Sequence, residues 1–162
     1  MSTKTNEPAL ESLGRLVGTW TTEATHRLLP GVVLRGTVSG EWLEGERFLI
    51  LRTHTDHPDI PDAISLIGFT DQDRAHKGAA TTPAADGERR LTMHYFDSRG
   101  VFRVFDASID DQAWRIWREA PGFSQRFTGS FADGGATIAG VWQLCEDDVN
   151  WNDDLRITYR RR

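Results

Sequence analysis

The chain lacks most of the features that would assign it quickly to a compartment or a chemistry. It has a single cysteine, Cys145, among 162 residues, so no disulfide can form within the chain and a reducing, cytoplasmic setting is expected. It has no basic excess: the formal net charge is −5, whereas nucleic acid is held by a positive face. The terminal Arg160-Arg161-Arg162 is too short to reverse that balance. No stretch approaches the ~20 apolar residues of a membrane-spanning helix. The opening Met1-Ser2-Thr3-Lys4-Thr5-Asn6 has no apolar core, so neither a signal peptide nor a lipid anchor is expected. Nucleic acid and membrane thus drop out as expected partners. Catalytic signatures are missing as well. There is no Gly-x-Ser-x-Gly elbow, no Walker-type loop and no dinucleotide fingerprint. Gly134-Gly135 falls in a hairpin turn, with no helix behind it to receive a phosphate.

What is present suffices for a folded core. Apolar residues make up 38% and aromatics 10%, with six tryptophans, which offsets a high charged content and argues against global disorder. Residues 1–6 are polar and read as a disordered tail; residues 7–162 read as one domain. Pro8 fits the first turn of a short helix in which Leu10, Leu13, Leu16 and Val17 share a face, with Gly14 or Gly18 ending it.

Beyond the helix the grammar is strand and turn. Strands are expected at 19–28, 32–43, 48–55, 64–70, 90–96, 101–108, 114–119, 123–131, 138–144 and 155–161, mostly joined by short Gly-, Pro- or Asp-rich turns. Gly36, Gly40 and Gly129 are candidate bends or bulges. Residues 71–89 are small and polar and read as a long mobile surface loop; residues 146–154 read as an acidic loop. About ten antiparallel strands avoid exposed edges best by closing into an all-β up-and-down barrel with the short N-terminal helix capping one end. A two-sheet sandwich is the alternative.

Leu16-Val17-Gly18-Thr19-Trp20, with its Gly-x-Trp pattern, resembles the opening of calycin-like barrels: lipocalins and, more distantly, nitrobindin-like and fatty-acid-binding proteins. Phe123-Ser124-Gln125-Arg126-Phe127, Gly140-Val141-Trp142, Trp151 with Asp154, and Thr158-Tyr159 resemble a bacterial family of uncharacterised lipocalin-like barrels. The likeness covers most of residues 8–161. It implies the barrel fold and a structural Trp20, packed across the closed end beside Arg156 or Arg160. It implies no reaction. Nitrobindin-like proteins ligate haem through a late histidine, whereas this chain has none after His94. Haem through His54 or His94 therefore draws no support from the likeness, and no cofactor is expected. The Arg-x-Tyr carboxylate clamp of fatty-acid-binding proteins is replaced by Arg156-Ile157-Thr158.

Local clusters offer little chemistry. His54-x-x-His57 with Asp56, Asp59 and Asp62 has the residue types of a zinc site, but strand geometry points the two histidines to opposite faces, so a solvated strand end is the plainer reading. Asp148-x-Asn150-x-Asn152 starts like a calcium loop but lacks its glycine and its terminal glutamate. Cys145 precedes Glu146-Asp147-Asp148, whose charge disfavours a thiolate. No catalytic or metal residues are expected. Period two then assigns an interior: taking the more apolar face of each strand as inward places Arg52, His54, Tyr95, Arg103, Arg118, Gln125, Trp142 and Tyr159 there, and Arg126 outside. An apolar cavity with convergent polar groups is how small-molecule sites are built. The expected function is binding of a small, partly apolar, anionic molecule. One alternative is an enzyme using the same cavity, with His54 or His94 as acid–base. The other is a structural barrel with a filled core, whose outer face (Val33, Leu43 or Phe102) is buried against a partner, as in a homodimer.

Overall fold

The computed structural model describes residues 7–70 and 90–162. The expected tail, 1–6, and the expected long loop, 71–89, lie outside the described residues. Ten strands follow helix α1 (Glu7–Leu13) and a 3-10 turn (Gly14–Leu16): β1 (Gly18–His26), β2 (Leu34–Trp42), β3 (Phe48–Thr55), β4 (Ala63–Thr70), β5 (Arg90–Asp97), β6 (Phe102–Ile109), β7 (Ala113–Arg118), β8 (Ser124–Ala132), β9 (Thr137–Cys145) and β10 (Asn152–Arg161). Each strand pairs antiparallel with its sequence neighbours, and β1 pairs with β10, so the sheet closes into a barrel. Closure removes every sheet edge, and the sandwich alternative falls.

The two ends of the barrel differ. Helix α1 lies at the end where β1 begins, and Leu13 and Leu16 are buried in the core. A Cβ on Gly40 would stand 2.2 Å from the Leu16 carbonyl oxygen, so glycine at this position is what lets the turn seat directly on β2. Neither Gly36 nor Gly40 marks a bulge, because β2 keeps its register on both sides. Gly129 likewise sits in unshifted pairing. The register shift the structure does contain is in β10, between Asp153 and Leu155.

Trp20 closes the helix end. Its ring is 1% exposed, and Nε1–H donates to the Leu16 carbonyl at 3.1 Å. The Arg161 guanidinium lies 4.2 Å over the ring and donates to the carbonyls of Val17 and Arg15. Gly18, at φ 120°, leaves space for that guanidinium: a Cβ there would meet Arg161 Nη1 at 2.8 Å. The arginine is thus Arg161, not Arg156 or Arg160. Leu155, Ile157 and Tyr159 turn inward on β10, so Arg161 continues the same face while Arg156 and Arg160 project outward.

Candidate functional site

The opposite end holds a cavity of about 270 Å³. Its floor and sides are apolar, with Phe105, Trp114, Ile116, Trp142, Leu155 and Ile157 among them. The aromatic rings interlock: Trp142 stands 5.8 Å from Phe105 and 5.2 Å from Phe127, and Trp114 meets Phe127 edge to face at 5.0 Å. Trp114 Nε1 is buried with no hydrogen-bond partner among the described residues.

Five of the eight side chains expected inside line this cavity: Tyr95, Arg103, Gln125, Trp142 and Tyr159. Arg103 and Gln125 act as a unit. Arg103 Nη1–H donates to Gln125 Oε1 at 3.2 Å, and the Gln125 amide nitrogen has no partner among the described residues. The guanidinium also lies 5.1 Å over the Phe123 ring. Among the described residues no carboxylate pairs with Arg103. A half-buried cation in that condition is costly unless solvent or an anion compensates it.

Tyr95 faces the cavity but does not aim its proton into it. Its hydroxyl donates to Asp97 Oδ2 at 2.9 Å, and burial, reinforced by that hydrogen bond, pushes the phenol up to about 12. Tyr95 therefore offers a ligand an acceptor only. Asp97 also accepts from the backbone N–H groups of Arg99 and Val101 and from the Arg99 guanidinium, which hold its carboxyl below the usual range. Tyr159 is buried, and burial alone raises its phenol.

Three residues stand elsewhere. Arg52 and His54 project from the outer face of β3, where Arg52 pairs with Glu41 and His54 Nδ1 lies 2.7 Å from Asp62 Oδ1. The apolar pattern of β3 is two-sided: Leu49 and Leu51 fill the core, while Phe48 lies outside over Gly68, its partner on β4. The face led by Phe48 and Ile50 was the wrong one to turn inward. Arg118 shares inner parity with Trp114 and Ile116, but the strand ends there and its guanidinium donates to the Phe123 carbonyl at 3.2 Å instead of lining the cavity. Arg52 and His54 instead edge a shallow outer concavity of about 510 Å³, whose charges are already paired.

The expected interior left out two residues, of which only Asp154 breaks strict alternation, His26 continuing the Trp20 face of β1. His26, the last of β1, and Asp154 both line the cavity, and their side chains approach to 3.5 Å. Asp154 occupies the register shift of β10, and such a bulge re-aims a side chain that strict alternation would send elsewhere. His26 Nδ1 accepts from the Leu28 N–H at 3.1 Å, so in the neutral ring the proton sits on Nε2, toward Asp154. In that tautomer the one ring lone pair, on Nδ1, is already taken by the Leu28 N–H. His94 stacks on Phe102 outside the barrel, so the two histidines considered for haem or for acid–base work, His54 and His94, both lie off the cavity. The acidic stretch is used for folding. Asp147 accepts from the N–H groups of Asn150 and Val149, which bring it down to about 2, and Asp148 accepts from the Gly122 N–H. Among the described residues no cluster of three metal-ligating side chains occurs.

Arg126 faces outward. It lies 4.1 Å over the Trp151 ring and donates to Gln143 Oε1 at 2.7 Å; Gln143 in turn donates to Asp153. The Phe-Ser-Gln-Arg-Phe run thus splits between two jobs, with Gln125 and Phe127 inside and Arg126 bracing the outer face.

No family model matches the chain, and no curated protein does. Among solved structures it is similar to the crystal structure of Rv2717c from M. tuberculosis, with a TM-score of 0.64 at 12% identity over 96% of this chain and 98% of that one. At that identity the likeness shows the fold alone.

Proposed function

We propose that this barrel binds a small, partly apolar, anionic molecule in its open-ended cavity, in the manner of the lipocalin-like barrels its motifs resemble, and that it does so in the cytoplasm. The observation that carries this reading is Arg103: an inward guanidinium held by a neutral amide and an aromatic face, without a carboxylate among the described residues. The free N–H groups of Arg103 and the amide nitrogen of Gln125 supply charge-assisted donors for an acid, and the aromatic walls supply apolar contact. The cavity is smaller than the ~300–1,000 Å³ of sites for drug-sized ligands, which favours a compact ligand. A pure binder fits the site better than an enzyme, because His54 and His94, the histidines considered for acid–base work, both lie off the cavity.

Native mass spectrometry of freshly purified protein should reveal a retained small molecule, and titration with benzoate should saturate. Arg103→Leu should weaken benzoate at least about ten-fold, since hydrogen bonds to a charged group contribute ~1.5–3 kcal/mol. The fold should persist, because leucine replaces a costly charge with apolar volume. Arg126→Leu should leave binding unchanged. Equal affinity in the Arg103 variant, or loss confined to the Arg126 variant, would overturn the assignment.

A further inference from the structure

The mouth of the cavity is electrically two-sided. Arg103 is on β6, and β6 stands half-way around the ten-strand circuit from β1. There, across the mouth, His26 and Asp154 line the wall. Asp154 Oδ1 receives Arg27 Nε at 3.0 Å and faces His26 Nε2 at 3.5 Å. Its Oδ2 has no partner among the described residues. Arg27 is shared with Glu146 at 3.2 Å, so one guanidinium serves two carboxylates and this wall retains a negative charge. The Arg103 wall retains a positive one. The rings of Phe105, Trp114 and Trp142 line the same cavity.

We infer that the ligand is a small aromatic acid carrying a hydrogen-bond donor, a hydroxyl or amino group, at the end remote from its carboxylate. This rests on the reading of Arg103 as the anion anchor and adds a second, opposite pole. The acid meets Arg103 and the Gln125 amide. The flat body lies against the aromatic walls, where edge-to-face and offset contacts are favourable. The far donor meets Asp154 Oδ2, an acceptor that Arg27 fixes in place. His26 stands beside that carboxylate, its Nε2 3.5 Å from Oδ1 and its Nδ1 taken by the Leu28 N–H. A donor-bearing ligand gains a charged acceptor, whereas a ligand with a bare far end buries Asp154 Oδ2 without compensation. A ligand with an acid at both ends is repelled by the same wall.

Four probes separate the poles: benzoate, 4-hydroxybenzoate, 4-aminobenzoate and terephthalate, each titrated by calorimetry into the intact protein. The donor-bearing acids should bind at least about ten-fold tighter than benzoate, the size of one hydrogen bond to a charged group, and terephthalate should bind weakest. In Asp154→Ala that preference should vanish, because the donor-bearing acids lose their acceptor while benzoate, relieved of the uncompensated carboxylate, binds more tightly than to the parent; a near-ultraviolet circular dichroism spectrum matching the parent confirms the fold of the variant. The wild-type series stands even where the variant does not fold. Equal binding of all three mono-acids, or a preference that survives Asp154→Ala, would overturn the second pole and leave the anion site intact. Failure of every acid to bind would overturn the Arg103 reading and this inference with it.

Discussion

Trp20→Ala should lower stability by about 3–5 kcal/mol, the range for truncating a buried large aromatic, without moving any binding constant measured at the far end of the barrel. Three losses combine. The ring is buried among Leu13, Leu16 and Val38 in the core, and it meets Tyr159 edge to face at 6.5 Å. Its Nε1–H ties the Leu16 carbonyl, so the alanine variant frees the turn that seats the helix on β2. Its face also carries the Arg161 guanidinium, a cation–π contact of ~0.5–2 kcal/mol. Urea melts measure the change as a shifted midpoint at constant slope. An unchanged midpoint would show that the helix end of the barrel does not depend on this ring.

The strands were legible in the sequence because nearly every one is bounded by a turn residue with a mechanical reason to be there. Boundaries expected for β3 and β4 lie within a residue of those found. The early start of β10 at Asn152 was hidden by composition: a run of acids reads as loop until Asn152 and Asp153 are seen pairing with Leu144 and Gln143. Face assignment succeeded on β5 and β9, where one side is plainly more apolar. On β3 it failed, because Leu49 and Phe48 compete for the core and only the tertiary partner decides: Gly68 leaves an external seat for Phe48. Asp154 was beyond the reach of periodicity altogether. A bulge is a local break in alternation, and here it comes without a glycine to announce it. The anion anchor was therefore legible in the sequence, and so was His26 on the Trp20 face of β1, but Asp154 was not.

Asp97→Ala should be the most damaging change at the open end, costing about 3 kcal/mol, because hydrogen bonds to a charged group contribute ~1.5–3 kcal/mol each and do not simply add. For a chain of this size that corresponds to roughly 6–12 °C in melting temperature. Asp97 ends β5, and its carboxylate takes the Tyr95 hydroxyl on one oxygen and the N–H groups of Arg99 and Val101 on the other. It therefore fixes both the β5–β6 turn and the direction of Tyr95 beside Arg103, its cross-strand neighbour. The effect depends on pH in a defined sense. The donors around Asp97, the Arg99 side chain first, lower its pKa in the folded state. The stabilisation is thus complete above the unfolded aspartate value of about 3.9 and fades as pH falls below that toward the folded value. The melting difference between the parent protein and Asp97→Ala should be large at neutral pH and should narrow below about pH 4. Comparing the two proteins at each pH isolates this residue from Asp110, Asp147 and Asp153, whose carboxyls are also held low. A difference that stays constant into the acid range would mean that Asp97 acts through the shape of the turn and not through its charge.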